Sequence, residues 1–300
     1  MNIITDTTKY SFPESVIMLG KFDGVHLGHQ MLISTGVKFS GENNLTPVVY
    51  TFEGTNSECI TTDDEKADIF EKLGVKYTVF EKFTDEFKSI SPEDFVKNIL
   101  VDKLNAKHIV VGFNYRFGKG ASGDIALLEK LCDENEISLT VIPPFEVEGN
   151  LVSSTHIRKL ISHGDVKDVK KFLGRFYTIS GVTSKCKGLG HTIGFATANI
   201  LGEFNKLLPK RGVYASNTIV DGIMYPSMTN VGLNPTVENI TAPKIETHLI
   251  DYDGELYGES ITIEFFNKVR EEKRFDSVNE LKAQLSTDRE NVKKYFDDRK

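Results

Sequence analysis

Short apolar runs alternate with helical patterns along the first half of this chain. The runs that predict β-strands are residues 16–19, 47–52, 76–80, 107–111 and 138–142. Helical spacing between them predicts helices at residues 63–73 and 124–135, and another from Ser91, which precedes a proline and two acids. Strands that alternate with helices in this way imply a parallel sheet with right-handed crossovers.

The pattern changes after Gly174, where short β runs separated by turns replace the alternation. These runs are residues 177–180, 213–220, 245–250 and 261–266. Asp221-Gly222 and Asp253-Gly254 are typical of hairpin turns, so this part is predicted to be a small antiparallel barrel. Terminal helices are expected at residues 277–285 and 288–296, each with a capping residue. We therefore predict two domains, residues 1–174 and 175–300.

Composition narrows the class of protein. The chain has 300 residues, of which 39% are hydrophobic and 26% charged, so it can bury a sizeable core. A net charge of −7 argues against a broad nucleic-acid-binding surface. Cys59, Cys132 and Cys186 have no short metal-binding spacing, which favours a reducing compartment. No signal-peptide pattern or membrane-spanning apolar run is present, so we expect a cytoplasmic protein. We also expect it to be a monomer or a weak homo-oligomer.

The segment 20–29, Gly-Lys-Phe-Asp-Gly-Val-His-Leu-Gly-His, connects the first predicted strand to a helix. A glycine turn at a helix start binds anions, because free N–H groups and the helix dipole both favour negative charge. His26 and His29 are three residues apart and can face the same ligand. The usual phosphate-loop and dinucleotide patterns are absent, so the pair suggests stabilisation of a phosphoryl transition state. An exposed or capping histidine pair is the alternative interpretation.

Segment 20–29 resembles the signature of the adenylyltransferase module of prokaryotic bifunctional riboflavin kinase/FAD synthetases. Residues 111–120, Val-Gly-Phe-Asn-Tyr-Arg-Phe-Gly-Lys-Gly, are similar to the flavin- and nucleotide-contacting loop of that family. Residues 153–158, Ser-Ser-Thr-His-Ile-Arg, are similar to its Ser-Ser-Thr-x-x-Arg motif. The resemblance implies a Rossmann-like nucleotidyltransferase domain at the N-terminus.

The second half resembles the riboflavin kinase module of the same family. Residues 194–199, Gly-Phe-Ala-Thr-Ala-Asn, are close to its Gly-Phe-Pro-Thr-Ala-Asn motif. Further matching segments occur in the expected order at residues 212–215, 234–236, 246–249 and 256–258. The resemblance covers nearly the whole chain and implies two reactions: MgATP-dependent phosphorylation of riboflavin to FMN, then adenylylation of FMN with ATP to give FAD and pyrophosphate.

For the adenylyl transfer, the resemblance implies that His26 and His29 donate to the α-phosphate. Arg158 and Thr155 would hold the departing pyrophosphate, as guanidinium matches phosphate oxygens. Asp23 is expected to orient the loop rather than act as a base. The remaining predicted nucleotide-site residues are Gly20, Phe22, Gly24, Gly28, Asn114, Arg116 and Ser154. Without the resemblance, Thr155 and Arg158 could be a helix cap and a surface arginine.

For the kinase, the resemblance implies that Glu246 takes the proton of the ribityl hydroxyl. Thr197 and Asn199 would hold Mg²⁺ with the phosphates, since oxygen ligands suit this cation. The predicted flap over the nucleotide contains Lys187, Gly188 and Gly190. The alternatives from the residues alone are that Glu246 is a solvated strand residue and that Thr197 and Asn199 form a turn.

Several positions depart from the family pattern. Ala196 replaces a usual proline, His191 a usual arginine and Cys186 a usual glycine, all in the kinase half. In the N-terminal half, residues 51–55 lack the usual Pro-His-Pro and His156 replaces a common arginine. We expect two activities, with a weakened or altered kinase. The competing hypotheses are a monofunctional FMN adenylyltransferase with a silent flavin-binding barrel, a non-catalytic flavin sensor, and a cytidylyltransferase for a small phospho-alcohol.

Overall fold

The computed structural model of the chain describes residues 1–7, 10–54, 58–184, 195–201, 204–235 and 241–298. The described residues form two compact units, Met1–Ser154 and Thr155–Lys300. The first combines a parallel sheet with helices, and the second is built on an antiparallel sheet. The predicted fold class is confirmed.

Among the described residues of the N-terminal unit, six parallel strands form one sheet in the order β1-β4-β3-β2-β5-β6. The strands are β1 (Asn2–Ile4), β2 (Ser15–Leu19), β3 (Thr46–Phe52), β4 (Tyr77–Glu81), β5 (Ala106–Gly112) and β6 (Ser138–Ile142). A small hairpin of β7 (Glu146–Val147) and β8 (Asn150–Leu151) follows. All five predicted strands are present. The additional β1 has only three residues, none of them fully buried, so it has no apolar run to indicate it.

The helices flank this sheet and explain why its strands are continuous apolar runs. Residues at alternating strand positions contribute to two separate buried clusters, one containing Ile17 and Val48 and the other Val16 and Val49. A strand buried on both faces needs apolar side chains throughout. The helices before the second unit are α1 (Leu27–Glu42), α2 (Asp63–Lys72), α3 (Asp85–Lys88), α4 (Pro92–Asp94), a π-helical segment (Phe95–Val101), and α5 (Ile125–Glu134).

Within the described ranges of the C-terminal unit, six strands form an antiparallel sheet in the order β10-β13-β12-β11-β14-β9. These strands are β9 (Tyr177–Val182), β10 (Ala198–Leu201), β11 (Gly212–Val220), β12 (Ile223–Pro235), β13 (Thr241–Leu249) and β14 (Ser260–Arg270). The two edge strands meet, because Thr183 bridges Ile200 and the Ser184 N–H donates to the Asn199 carbonyl at 2.8 Å. This contact closes the sheet on itself. Helices α6 (Ser154–His163) and α7 (Val166–Leu173) precede β9.

The two predicted hairpin turns have different outcomes. Asp221-Gly222 joins β11 directly to β12, with φ angles of +49° and +78° that match a two-residue hairpin. Asp253-Gly254 lies inside a longer connection between β13 and β14, so its prediction as a hairpin turn is wrong.

The two predicted terminal helices are one helix, α8 (Val278–Asp297). The sequence predicted a break between two helices at residues 286–287, with a capping residue at the start of the second helix. Instead, the Ser286 and Thr287 hydroxyls donate to carbonyls four residues earlier, at 3.0 and 3.1 Å. Asp288 is 1% exposed and binds Arg270 of β14 through contacts of 2.7 to 3.1 Å. Asp288 therefore attaches the helix to the sheet and does not start a second one.

Candidate functional sites

The N-terminal candidate site lies where the strand order of the parallel sheet reverses. From β2 the chain adds β3 and β4 on one side, then returns to place β5 on the other side of β2. β2 and β5 are parallel, with Met18 opposite Val110, so their carboxyl ends lie at the same edge of the sheet. The turn after β2 and the loop after β5 both begin there. Ligands of open α/β sheets bind at such a switch point.

The turn after β2 has an unusual backbone that glycine and close packing make necessary. Phe22, Gly24 and Val25 have φ angles of +50°, +88° and +37°. A Cβ on Gly20 would lie only 3.0 Å from the Phe22 ring, which is fully buried. The Phe22 ring in turn packs edge-on against His29, with centroids 5.2 Å apart. The glycine and the phenylalanine together fix the backbone immediately before the histidines.

Asp23 holds this turn to its neighbours. Its Oδ1 accepts from the Ile60 N–H at 2.8 Å, and its backbone carbonyl accepts from the Ser154 hydroxyl at 2.8 Å. The side chain is 6% exposed. These contacts favour the predicted orienting role of Asp23 and show Ser154 as a second anchor of the turn.

His26 and His29 are stacked at the start of α1, with ring centroids 3.6 Å apart and planes 12° apart. His26 caps the helix, because its Nδ1 accepts from the His29 N–H at 3.2 Å. A neutral His26 must therefore carry its proton on Nε2. The cap fixes the orientation of the His26 ring and the tautomer of its neutral form. A capping role for His26 is therefore compatible with a functional role for the pair.

His29 is held in its neutral form. Burial lowers the pKa of His29 well below its ordinary value, and the nearby His26 and Lys66 lower it further. Its Nδ1 is buried without a hydrogen-bond partner among the described residues. A buried, unpaired ring nitrogen is costly unless a ligand supplies its partner. This atom is direct support for a ligand site at the histidine pair.

Gly28 lies directly against the edge of the buried His26 ring. A Cβ at this position would touch the Cε1 and Nδ1 atoms of His26 at 3.4 Å and the Cβ of Phe145 at 3.7 Å. Any longer side chain would therefore press on the ring.

The loop after β5 contains the predicted residues Asn114 and Arg116. Asn114 is exposed, in a turn closed by the Tyr115 N–H donating to the Gly112 carbonyl at 3.0 Å. The Arg116 side chain is 59% exposed, and its Nη1 lies 3.7 Å from Asp124 Oδ2. Asp124 caps α5, so Arg116 is partnered by a helix cap in this structure.

Thr155 and Arg158 belong to the second unit, on α6. They are three residues apart and therefore lie on the same face of the helix. Thr155 is exposed and Arg158 is half-buried.

In the C-terminal unit, the predicted residues Asn199 and Glu246 are brought together by strand pairing. Asn199 of β10 is directly opposite Glu246 of β13, and Glu246 is opposite Asn230 of β12. Directly paired residues of antiparallel strands share one face of a sheet. A row of two amides and a carboxylate therefore crosses three strands.

Asn199 has the features of a ligand-binding residue. It is 4% exposed, and its amide nitrogen donates to the carbonyl of Thr197 at 3.2 Å and approaches the Thr197 hydroxyl at 3.5 Å. Its Oδ1 is buried and has no hydrogen-bond partner among the described residues. The Thr197–Asn199 pair thus orients an unsatisfied oxygen, the kind of atom a hard cation prefers.

Sequence reasoning assigned no role to three further residues of this face, although His248 lies in the matching segment 246–249. Asn230 completes the row described above. Lys244, two residues before Glu246, places its Nζ 2.6 Å from Glu246 Oε1. His248, two residues after Glu246, donates from Nδ1 to the Ala196 carbonyl at 2.8 Å. Ala196 replaces a usual proline, and this hydrogen bond restrains the backbone before Thr197. Alternation along β13 places Lys244 and His248 on the same face as Glu246, whereas only the pairing of β12 with β13 adds Asn230.

Some predicted residues lie outside the described residues. They are the flap residues Lys187, Gly188 and Gly190, the substituted positions Cys186 and His191, and Gly194 and Thr236 of the motifs.

Two family models match the chain. One described as FAD synthetase matches residues 9–156, and one described as riboflavin kinase matches residues 173–296. The chain is also similar to proteins named bifunctional riboflavin kinase/FMN adenylyltransferase. That of Listeria monocytogenes is 34% identical, with 97% of this chain and 95% of the relative covered. Those of Bacillus subtilis and Escherichia coli K12 are each 33% identical, with 94% of this chain and 93% and 92% of the relatives covered.

A solved structure resembles the whole chain. The crystal structure named as a macrolide-efflux protein from Streptococcus pneumoniae is 30% identical to it, with a TM-score of 0.88. The match covers 97% of this chain and 98% of that one. In the part of this chain that the structure describes, no helix is long and apolar enough to cross a membrane.

Proposed function

Because this chain belongs to the bifunctional riboflavin kinase/FMN adenylyltransferase family, we propose that it makes FAD from riboflavin in two successive reactions. It phosphorylates riboflavin with ATP, and it transfers the AMP part of a second ATP to the resulting FMN. The observation that carries this conclusion is that one chain contains both enzyme families, in order, over residues 9–156 and 173–296.

In the adenylyl transfer, an FMN phosphate oxygen attacks the α-phosphorus of ATP and pyrophosphate leaves. No protein nucleophile is required, so the residues position the groups and stabilise charge. His26 and His29 each have a ring N–H that can donate to α-phosphate oxygens as charge develops there. The unpaired Nδ1 of His29 supports this role, because a substrate would satisfy it. Arg158 and Thr155, on one face of α6, hold the departing phosphates.

In the kinase reaction, the ribityl hydroxyl attacks the γ-phosphate and Glu246 accepts its proton. The Glu246 side chain is 32% exposed on the sheet face that carries Asn199, so substrate can reach it. Thr197 and Asn199 fit a Mg²⁺ ion that enters with ATP, since Asn199 Oδ1 is an unsatisfied oxygen. When bound, Mg²⁺ neutralises phosphate charge and favours attack on the γ-phosphorus.

The two reactions divide between the predicted modules. We place the boundary near residue 174, where α7 ends at a left-handed Gly174 with φ +72° and β9 begins at Tyr177. We also place the enzyme in a reducing cytoplasm, which the free, buried thiol of Cys132 supports.

Separating the two activities tests this proposal. Riboflavin, FMN and FAD are followed by chromatography for wild type, His29→Ala and Glu246→Gln. His29→Ala is expected to stop at FMN, with adenylylation slowed about 100-fold, because one transition-state donor is worth about 3 kcal/mol. Glu246→Gln is expected to convert supplied FMN but not riboflavin. A mixture of the two variants then regains FAD formation from riboflavin.

The matched control is His163→Ala, which changes an exposed histidine of α6 and is expected to keep both activities. If each variant lost both activities, the two-site assignment would be wrong. If wild type used FMN but never riboflavin, the protein would be a monofunctional adenylyltransferase with a silent kinase-like barrel.

A further inference from the structure

Lys66 is a buried lysine that the proposed mechanism does not use. It lies in the first turns of α2 and is 3% exposed. Its Nζ pairs with Asp63 Oδ1 at 2.9 Å, three residues earlier in the same helix. Asp63 is itself 30% exposed, and its other oxygen accepts from the Gly54 N–H at 2.9 Å.

Local stability does not explain a lysine at this place. Removal of an ammonium group from water costs several kcal/mol, which a single partly exposed carboxylate repays poorly. The start of a helix also disfavours positive charge, because the helix dipole is positive there. The flanking residues do follow the local rules: Thr62 and Glu65 form a capping box that satisfies the helix start. A residue that violates local preferences inside a well-formed element is a candidate for function.

The packing of α2 directs Lys66 toward the histidine pair. Phe70 lies one helical turn after Lys66 and therefore on the same face. The Phe70 ring packs edge-on against Phe22 with centroids 5.5 Å apart, and Phe22 packs against His29 at 5.2 Å. The charge of Lys66 also reaches His29, since it contributes to the lowered pKa of that ring. Lys66 thus lies on the side of α2 that packs toward His29, whose ring is held neutral.

An anion is the ligand that this arrangement lacks. The neighbouring carboxylates are engaged: Asp23 Oδ1 accepts from Ile60, and Asp63 binds both Gly54 and Lys66. We propose that Lys66 is a phosphate-binding residue of the adenylyl-transfer site, where its ammonium binds the triphosphate of ATP beside His29. This inference rests on the proposed adenylyl-transfer function. In the free enzyme, the buried ammonium lowers stability. Bound triphosphate would offset this loss by supplying a negative partner.

The test compares Lys66→Met with Lys66→Arg and with Lys72→Met, an exposed lysine of the same helix. The KM for ATP is measured in the conversion of FMN to FAD. It is expected to rise at least tenfold in Lys66→Met, to return to within about threefold of wild type in Lys66→Arg, and to stay unchanged in Lys72→Met. The KM for ATP in riboflavin phosphorylation by the same preparations is the internal control and should not change.

Because Lys66→Met leaves a carboxylate without its cation, the double variant Asp63→Asn/Lys66→Met is measured as well. It removes both charges and is expected to show the same rise in KM. The inference is overturned if both variants keep the wild-type KM, or if the loss appears in kcat alone. If wild type made no FAD from FMN and ATP, the adenylyl-transfer function would be refuted as well. If wild type is active but Lys66→Met has the same KM for ATP as wild type, only the role of Lys66 is refuted.

Discussion

Acid should destabilise the N-terminal unit through one buried histidine, His108 of β5. It is 3% exposed and stacks on Phe39 with centroids 3.7 Å apart. Among the described residues, its ring nitrogens contact only hydroxyl groups of β6. The Ser138 hydroxyl donates to the Lys107 carbonyl, so its oxygen accepts from His108 Nδ1 at 2.6 Å. Nε2 then accepts from Thr140 at 3.0 Å. This arrangement satisfies the neutral ring and has no carboxylate to stabilise the charged one.

The size of the effect follows from the pKa. Burial lowers the pKa of His108 from 6.5 to about 4. Because the folded pKa is below the unfolded one, the unfolded chain binds more protons between these values, and stability falls as pH decreases through this window. At 1.36 kcal/mol per pKa unit, the full loss is about 3 kcal/mol. Between pH 7.5 and pH 5, it is about 2 kcal/mol.

Urea unfolding followed by circular dichroism at pH 7.5 and pH 5 measures this loss. The free energy of unfolding of wild type should fall by about 2 kcal/mol more than that of His108→Gln, whose side chain stays neutral. The lowered pKa of His29 affects both proteins equally and cancels in the difference. His163→Gln is the control and should retain the wild-type pH dependence. Equal slopes for wild type and His108→Gln would refute the reasoning.

Two further substitutions test the sites directly. Gly28→Val should slow adenylylation at least tenfold, because the added side chain would press on the His26 ring. Gly41→Val lies in the same helix with nothing within 4 Å of its Cβ position and should leave the rate unchanged. Equal rates for the two variants would contradict the steric argument. Lys244→Met should lower kcat for riboflavin phosphorylation about tenfold, since it removes the 2.6 Å ion pair that orients the proposed base, and should leave adenylylation intact. Lys293→Met, which breaks another ion pair of the same unit, is the control, and a loss of equal size there would assign the effect to stability.

The sequence predicted the elements that depend on local chemistry. The buried strands of the parallel sheet have apolar runs because both faces are covered, and the Asp221-Gly222 hairpin follows from residues that tolerate positive φ. The motifs around His26 and Asn199 were identifiable because the proposed chemistry requires particular residues at fixed short spacing. Local patterns failed where distant residues decide. Asp288 resembles a helix cap, but its salt bridge with Arg270, 18 residues earlier, keeps α8 continuous.

Only the tertiary structure decided how the functional groups combine. The reversal of strand order beside β2 is set by which strands pair across the sheet, and that pairing joins residues far apart in sequence. The register of β10, β12 and β13 then places Asn199 and Asn230 beside Glu246, although a shift by one residue would turn each strand's side chains to the opposite face. The burial of Lys66 is likewise a property of packing, since exposed and buried lysines look identical in a sequence. Local sequence indicated the candidate site residues, while long-range pairing and burial determined their partners and orientation and the lowered pKa of His29.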